Sequence, residues 1–188
     1  MIIKRLNEFT NVLSKTVITN TSGITYEHQT AYNLIRLAIK GLYKTNGTLY
    51  LIGNGGSNAI ISHAAVDMMN KFYIKVCPIT DSSQVTCFAN DYENRNMYIV
   101  PLIQMLRDND ILIAVSSSGE SKSIINAVKY TKGMGINVIT FSGFGPDNPL
   151  RKLGNFNFYL DSTDYGIVET GHSFLLHLIT DEVKDEKI

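Results

Sequence analysis

Hydrophobic residues recur along the chain with two different periods. Over residues 2–15 and again over 26–44 they follow helical spacing, and the second pattern ends at the Thr-Asn-Gly of residues 45–47. Beyond this point the pattern changes to short apolar runs that are rich in β-branched side chains, which is typical of strands buried on both faces of a parallel sheet. These runs cover residues 48–53, 110–115 and 136–143, with a weaker, alternating run at 156–161.

Segments with helical periodicity separate the apolar runs. They cover residues 57–70, about 94–107, 121–132 and 166–184. Strands that alternate with helices predict an α/β fold, a three-layer αβα sandwich with a central parallel sheet, preceded by an N-terminal helical hairpin. We expect one domain over residues 1–188, with N-terminal helices in 1–46 and the α/β core in 47–188.

Charge and composition exclude several classes of function. The 17 basic and 17 acidic side chains balance, whereas nucleic-acid and polybasic membrane surfaces need an excess of Lys and Arg. No apolar run approaches the roughly 20 residues that span a bilayer, and Cys77 and Cys87 have no metal or redox spacing. We therefore expect a cytoplasmic protein that binds neither nucleic acid nor membrane. A local site for a small anion remains compatible with zero net charge.

Two unusual loops follow predicted strands, where ligands bind in open α/β sheets. The first is "GNGGS", residues 53–57, in which glycines allow close backbone approach and Asn54 and Ser57 offer polar side chains. A dinucleotide fingerprint would need glycine where Asn58 stands, and a Walker sequence would need Gly-Lys-Ser/Thr. The loop is therefore expected to approach a ligand closely without being a nucleotide-binding loop.

The second loop is "SSSGES", residues 116–121, which opens a predicted helix. Its hydroxyls and the positive end of the helix dipole suit a phosphoryl group. The alternative is that the serines only cap the helix, for which one serine would be enough. Lys122 is the nearest cation along the sequence, so we expect a monophosphate held by amides and hydroxyls rather than a triphosphate with magnesium.

Histidines and carboxylates recur on two predicted helices. His63 and Asp67 are four residues apart and share one helical face. On the last helix, Glu169 and His177 are about 80° apart in helical projection, whereas His172 points to the other side of Glu169. If the two helices face each other, His63, Asp67, Glu169 and His177 could bind a divalent ion or transfer protons. The spacing leaves both roles open, and a hydrogen-bonded core histidine is the alternative for His177.

Four segments together resemble the sugar isomerase (SIS) domain family, and within it the phosphoheptose isomerases. They are "GNGGSNAIISHAAVDMMNKF" (53–72), "CFANDYE" (87–93), "AVSSSGESKSIINAVKYTKGMGINVITFSG" (114–143) and "VETGHSFLLHLITDEV" (168–183). The resemblance covers nearly the whole chain. It implies a flavodoxin-like SIS domain and a homotetramer whose active sites are completed by neighbouring subunits, with residues 1–46 used in oligomerisation.

The resemblance also implies roles for individual residues. The phosphate ligands would be Ser116, Ser117, Ser118 and Ser121. The remaining substrate-binding residues would be Asn54, Gly55, Gly56, Ser57, Asp91 and Glu169. The acid and base would be Asp67 and His177, and one Zn²⁺ per subunit would be held by His63, Asp67, Glu169 and His177.

The implied reaction converts sedoheptulose 7-phosphate to D-glycero-D-manno-heptose 7-phosphate through an enediol, for lipopolysaccharide or capsule precursors. Four positions depart from the family pattern: Asp67 replaces a glutamate, Ile167 an arginine, Glu169 a glutamine and Glu120 an asparagine. An isomerase of a different sugar phosphate therefore stays open. So does a non-catalytic SIS protein that binds a partner such as the replication initiator. A sugar-phosphate sensor is a third alternative, but such sensors usually carry a DNA-binding domain, which we do not expect here. His177 favours the enzyme, because the non-catalytic relative has another residue there.

Overall fold

A six-stranded sheet forms the middle layer of the fold. The computed structural model describes residues 1–181 and 183. The strands are β1 (Val17–Thr19), β2 (Thr48–Gly53), β3 (Lys75–Pro78), β4 (Ile111–Ser116), β5 (Asn137–Ser142) and β6 (Phe156–Tyr159). Their order is β1-β6-β5-β4-β2-β3, and all neighbours are parallel except β1, which pairs antiparallel with β6. The predicted α/β fold with a mostly parallel central sheet is confirmed.

Helices cover both faces of this sheet. They are α1 (Ile2–Ser14), α2 (His28–Thr45), α3 (Gly56–Phe72), α4 (Ser82–Asp91), α5 (Ile99–Met105), α6 (Lys122–Gly133) and α7 (Tyr165–Asp181). Short 3₁₀ turns occur at Asn94–Asn96 and Pro149–Lys152. None of the described helices combines the length and the apolarity needed to cross a bilayer.

Alternating side chains of the strands build two separate cores. In β2, Leu49 and Leu51 join the cluster that packs α1, α2, α3 and α7 against one face. Tyr50 and Ile52 point to the opposite face and pack with residues of α5 and α6. Because every central strand is buried on both faces, its sequence is apolar throughout rather than alternating. The three predicted layers follow from this arrangement.

The order of the strands places the two unusual loops next to each other. The chain passes from β2 outward to β3, then returns to β4 on the other side of β2. This reversal creates a crevice beyond the carboxyl ends of β2 and β4, which is where ligands bind in such sheets. Residues 53–57 follow β2 and residues 116–121 follow β4, so both loops flank the crevice.

Several elements differ from the sequence predictions. The N-terminal helices α1 and α2 do not connect directly, because the edge strand β1 lies between them. Strand β3 and helix α4 were not predicted, and the helix predicted at about 94–107 is divided into the 3₁₀ turn and α5. The predicted end of the last helix, at residue 184, lies outside the described residues.

Candidate active site

The serine loop is a tight turn between β4 and α6. Ser116 and Ser117 are buried, and Gly119 adopts a φ of +66°, which favours glycine. The Gly119 amide donates to the Ser116 carbonyl at 3.1 Å, and the Glu120 amide donates to Ser118 Oγ at 3.2 Å. The predicted phosphate-binding serines are therefore held close together at the end of β4.

Asn54 joins the glycine loop to the serine loop. Its Nδ2 donates to Ser121 Oγ at 2.7 Å and to Ser123 Oγ at 3.1 Å. Ser121 occupies the N-cap position of α6, yet within the described chain its hydroxyl makes no capping bond to that helix. The Ser121 hydroxyl thus faces the other loop, which favours the ligand-binding interpretation over helix capping.

The glycine loop is shaped for close approach. Gly55 has a φ of +55°, and α3 begins at the next residue, Gly56. A Cβ on Gly56 would lie 2.3 Å from Glu169 Oε2, so only glycine leaves room for that carboxylate. Glu169 Oε1 also lies 3.4 Å from Ser117 Oγ, which donates to it. Glu169 therefore belongs to the surface formed by the two loops, whereas Ser57 is buried beneath it.

A second group of polar side chains forms where α3 and α7 pack side by side. Asp67 Oδ2 lies 3.5 Å from His63 Nε2 and 3.2 Å from His177 Nδ1, and the two imidazole rings are 5.2 Å apart. The helix periodicity places His63 and Asp67 on one face, and α7 brings His177 against them. Three of the four predicted metal ligands are thus brought together; we call them the His–Asp–His cluster.

The His–Asp–His cluster has the geometry of a metal-ion site. Its three ligand atoms lie within 4.8 Å of one another. Asp67 Oδ2 is buried, and among the described residues it has no hydrogen-bond partner of normal geometry. Two imidazoles and a carboxylate are donors that suit zinc and similar divalent ions. The cluster can therefore hold a metal, and the unsatisfied oxygen would be its ligand atom.

Glu169, the fourth predicted ligand, is not part of this cluster. Glu169 and His177 are eight residues apart on α7, which corresponds to a rise of about 12 Å along the helix axis. The Glu169 carboxylate lies at Gly56, at the opposite end of the contact between α3 and α7. Its role as a metal ligand stays a prediction. Within the single chain, the two loops and Glu169 lie at one end of the contact between α3 and α7, and the His–Asp–His cluster lies at the other.

His172 has a structural position. Its Nε2 lies 3.2 Å from the Ser142 carbonyl oxygen, and its ring packs edge-on against Phe141. Complete burial lowers the pKa of His172 to about 4, so the imidazole is neutral near pH 7. It pairs neither with Glu169 nor with His177 and links α7 to the end of β5.

Comparison with known proteins identifies the family. The family model of the SIS domain matches residues 7–143, which include both loops, His63 and Asp67. The chain belongs to the SIS domain family. The matched range ends before α7, so the geometry described above is what relates Glu169 and His177 to the rest of the site.

Individual relatives extend this similarity beyond the matched range. The chain is 30% identical over 168 residues to a phosphoheptose isomerase of Campylobacter concisus, covering 85% of this chain and 88% of that protein. A phosphoheptose isomerase of Clostridium acetobutylicum is 30% identical over 161 residues, with 82% and 81% coverage. The predicted membership of the family and the predicted isomerase activity are confirmed.

Solved structures of such enzymes have the same fold. The phosphoheptose isomerase from Francisella tularensis superposes with a TM-score of 0.82 at 19% identity, and the one from Neisseria gonorrhoeae with 0.80 at 21%. Each comparison covers 98% of this chain and 97% of the other. Because the identities are below 25%, these superpositions establish a shared fold only.

Arg95 is a cation beside the serine loop that the sequence pattern does not predict. The 3₁₀ turn at Asn94–Asn96 places Arg95 on a cleft that Ser121 and Lys122 also line. The predicted substrate ligand Asp91 lies before this turn, where it accepts hydrogen bonds from Asn90 Nδ2 and Cys87 Sγ. No local pattern signals Arg95, because only the tertiary packing of the turn brings it beside the serine loop.

Proposed function

We propose that this protein converts sedoheptulose 7-phosphate to D-glycero-D-manno-heptose 7-phosphate in the cytoplasm, as a step towards heptose-containing surface polysaccharides. The observation that carries the proposal is the His–Asp–His cluster on α3 and α7, the two helices that border the glycine and serine loops. In it, Asp67 and His177 lie 3.2 Å apart, within reach of one another for proton transfer. The substrate is proposed from the relatives named phosphoheptose isomerase.

The serine loop would hold the phosphate, remote from the reacting carbons. Its hydroxyls and the first amides of α6 would bind the phosphate oxygens. Asn54, Asp91 and Glu169 would contact the sugar hydroxyls. Binding energy from the phosphate would orient the carbons C1 and C2, which lowers the entropic cost of the chemical step.

Asp67 and His177 would carry the proton transfers. One of them would remove a proton from C1 of the ketose, the carbon next to the carbonyl, and return a proton to C2. The other would move protons between the oxygens of C1 and C2, so that a cis-enediol forms and collapses to the aldose. Each such acid or base contributes about 10²- to 10⁴-fold to the rate.

Zn²⁺ would be held by His63, Asp67 and His177. Two features suit a zinc ion. Asp67 Oδ2 is buried and accepts no hydrogen bond within the described chain, and the cluster combines nitrogen and oxygen donors. A bound divalent ion would supply stabilisation of negative charge on the enediolate oxygens. Glu169 would serve as the fourth ligand only after leaving its position at Gly56.

A homotetramer would complete the active sites. Large apolar side chains are exposed on the helices that carry the cluster: Val66 is 55% exposed, Met69 47% and Phe174 46%. On α1, Ile2 and Ile3 are 74% and 69% exposed. Contact with neighbouring subunits would bury these side chains and enclose the shallow depression between His63, Asp67 and His177.

Two substitutions test the proposed chemistry. Asp67→Asn and His177→Gln should each lower the turnover of sedoheptulose 7-phosphate by at least about 100-fold, measured by NMR of the product. Binding of the same compound should remain detectable by calorimetry, because the serine loop is unchanged. Asp108→Asn, at an exposed turn before β4, is the matched control and should keep wild-type turnover. Near-normal turnover of either site variant would remove that residue from the mechanism.

A further inference from the structure

A polar cleft of about 400 Å³ lies beside the serine loop. Asn54 and the start of α6, Ser121 to Ser123, form one wall, and residues 93–95 form the other. The Ser121 hydroxyl that faces the glycine loop also faces this cleft. The cleft is therefore continuous with the proposed phosphate site, and the turn at 93–95 is its outer border.

The backbone of this turn is fixed while its charged side chains are exposed. Asn126 Nδ2, on α6, donates to the Arg95 carbonyl at 3.3 Å, which ties the turn to the helix that begins at the serine loop. Glu93 has a φ of +66°, an uncommon conformation for a residue other than glycine. The Arg95 side chain is 57% exposed and can move without displacing the backbone.

Arg95 forms an exposed ion pair with Glu93 in the structure. Its Nε lies 2.8 Å from Glu93 Oε2, and its Nη2 donates to Glu93 Oε1 at 3.2 Å. The Glu93 side chain is 66% exposed, so solvent screens this bidentate pair. Exposed ion pairs of this kind contribute at most about 1 kcal/mol. A phosphate offers Arg95 the same bidentate, charge-assisted geometry as Glu93, but it carries about −1.5 to −2 charges instead of one. If Arg95 exchanged Glu93 for phosphate, it would keep two charge-assisted hydrogen bonds and gain attraction to a more highly charged anion.

The charges around the cleft support this exchange. Among the described residues that line the cleft, Arg95 and Lys122 are the cations and Glu93 is the carboxylate. Glu120, which stands in the serine loop itself, is exposed and adds a second negative charge close by. A phosphate bound next to Glu120 needs compensating positive charge, and Arg95 is placed on the same cleft to provide it.

We propose that Arg95 is a substrate-binding residue that leaves Glu93 to bind the phosphate of the sugar phosphate, with Glu93 as a competing internal anion. The proposal rests on the proposed function, since it needs the phosphate in the serine loop. It makes the Glu93–Arg95 pair a determinant of affinity for the phosphorylated end of the substrate, separate from the groups that carry out proton transfer.

Two substitutions that each remove a charge should have opposite effects on phosphate binding, and together they test this assignment. Arg95→Gln should weaken binding of inorganic phosphate and of sedoheptulose 7-phosphate by about threefold to tenfold. Glu93→Gln should tighten both by about twofold to fivefold, because Arg95 loses its competitor. Lys129→Gln, an exposed position further along α6, is the matched control and should change neither affinity. Dissociation constants are measured by titration calorimetry at low and at high salt.

The outcomes separate this inference from the proposed function. If the wild type binds phosphate but Arg95→Gln binds it equally well, Arg95 is not a phosphate ligand and the inference is wrong, whatever the turnover. If both substitutions weaken binding, the pair acts by holding the turn in place, which also contradicts the exchange. If the wild type binds neither phosphate nor the sugar phosphate, the phosphate site fails and the inference with it. Opposite shifts in a protein without turnover would support Arg95 while refuting the proposed reaction.

Discussion

His172 should make the stability of this protein depend on pH. The imidazole is completely buried, and its Nδ1 has no hydrogen-bond partner within the described chain. Burial lowers its pKa from 6.5 to about 4, although the bond to the Ser142 carbonyl opposes this shift. Above pH 6.5 the imidazole is neutral in both the folded and the unfolded chain, so it adds no pH dependence there. Below pH 6.5 the unfolded chain gains a proton that the folded chain does not accept until about pH 4.

The expected magnitude follows from the two pKa values. Each pKa unit corresponds to about 1.4 kcal/mol, so full protonation of the unfolded state alone would cost about 3 kcal/mol of unfolding free energy. Between pH 7 and pH 5 the loss due to His172 should be about 2 kcal/mol. This is a large part of the 5–15 kcal/mol that is typical of folded domains.

Urea unfolding of the wild type and of His172→Gln at pH 7 and pH 5, both in the presence of a chelator, measures this contribution. Glutamine can still donate to the Ser142 carbonyl but cannot titrate. Other groups contribute equally to both proteins, so the wild type should lose about 2 kcal/mol more than the variant between the two pH values. An equal loss in both proteins would refute the reasoning, because His172 would then not be a buried neutral imidazole.

Three further substitutions have definite expected effects. Gly119→Ala should lower the unfolding free energy by about 3 kcal/mol or more, because Gly119 has a positive φ and an added Cβ would lie 1.9 Å from Asn148 Oδ1. It should also abolish phosphate binding. Urea unfolding measures the first effect and calorimetry the second. Gly41→Ala, inside α2 with open space around it, is the matched control. It should raise the unfolding free energy by about 0.5–1 kcal/mol. Asp110→Ala should lower the unfolding free energy, measured with urea, by about 3 kcal/mol, because the carboxylate accepts hydrogen bonds of 2.7 Å from the Thr48 and Arg107 amides. A decrease of less than about 1 kcal/mol would show that these hydrogen bonds contribute little to stability.

The central strands were the most predictable part of the fold. Burial on both faces requires continuous apolar runs, and β2 begins and ends where its run does, at residues 48 and 53. The edge strands β1 and β3 carry no such signal. They are three and four residues long, and β3 includes Lys75 and Pro78, which suit an edge rather than the middle of a sheet. Their pairing is decided by tertiary contacts that no local pattern contains.

Helical periodicity predicted that His63, Asp67 and His177 could come together, and the structure groups these three, but it places Glu169 elsewhere. A helical projection shows only the angle of each residue around the helix axis. By this angle, Glu169 and His177 are predicted to lie on the same side of α7. The projection ignores the rise of about 12 Å between them, which places Glu169 at Gly56 instead. His63 and Asp67 are about one helical turn apart, so they are close both in projection and along the helix axis. Arg95 lies outside the predicted motifs, and the turn at Asn94–Asn96 places it on the cleft beside Ser121.

The most direct test of the proposed chemistry is isomerisation in D₂O. Sedoheptulose 7-phosphate is incubated with the wild type or with Asp67→Asn, and the position of deuterium is followed by NMR. An enediol mechanism that uses Asp67 predicts an aldose product with deuterium at C2, or ketose with deuterium at C1, for the wild type alone. The absence of both product and exchange in the wild type would contradict the proposed function, and equal exchange in Asp67→Asn would contradict the role of the His–Asp–His cluster.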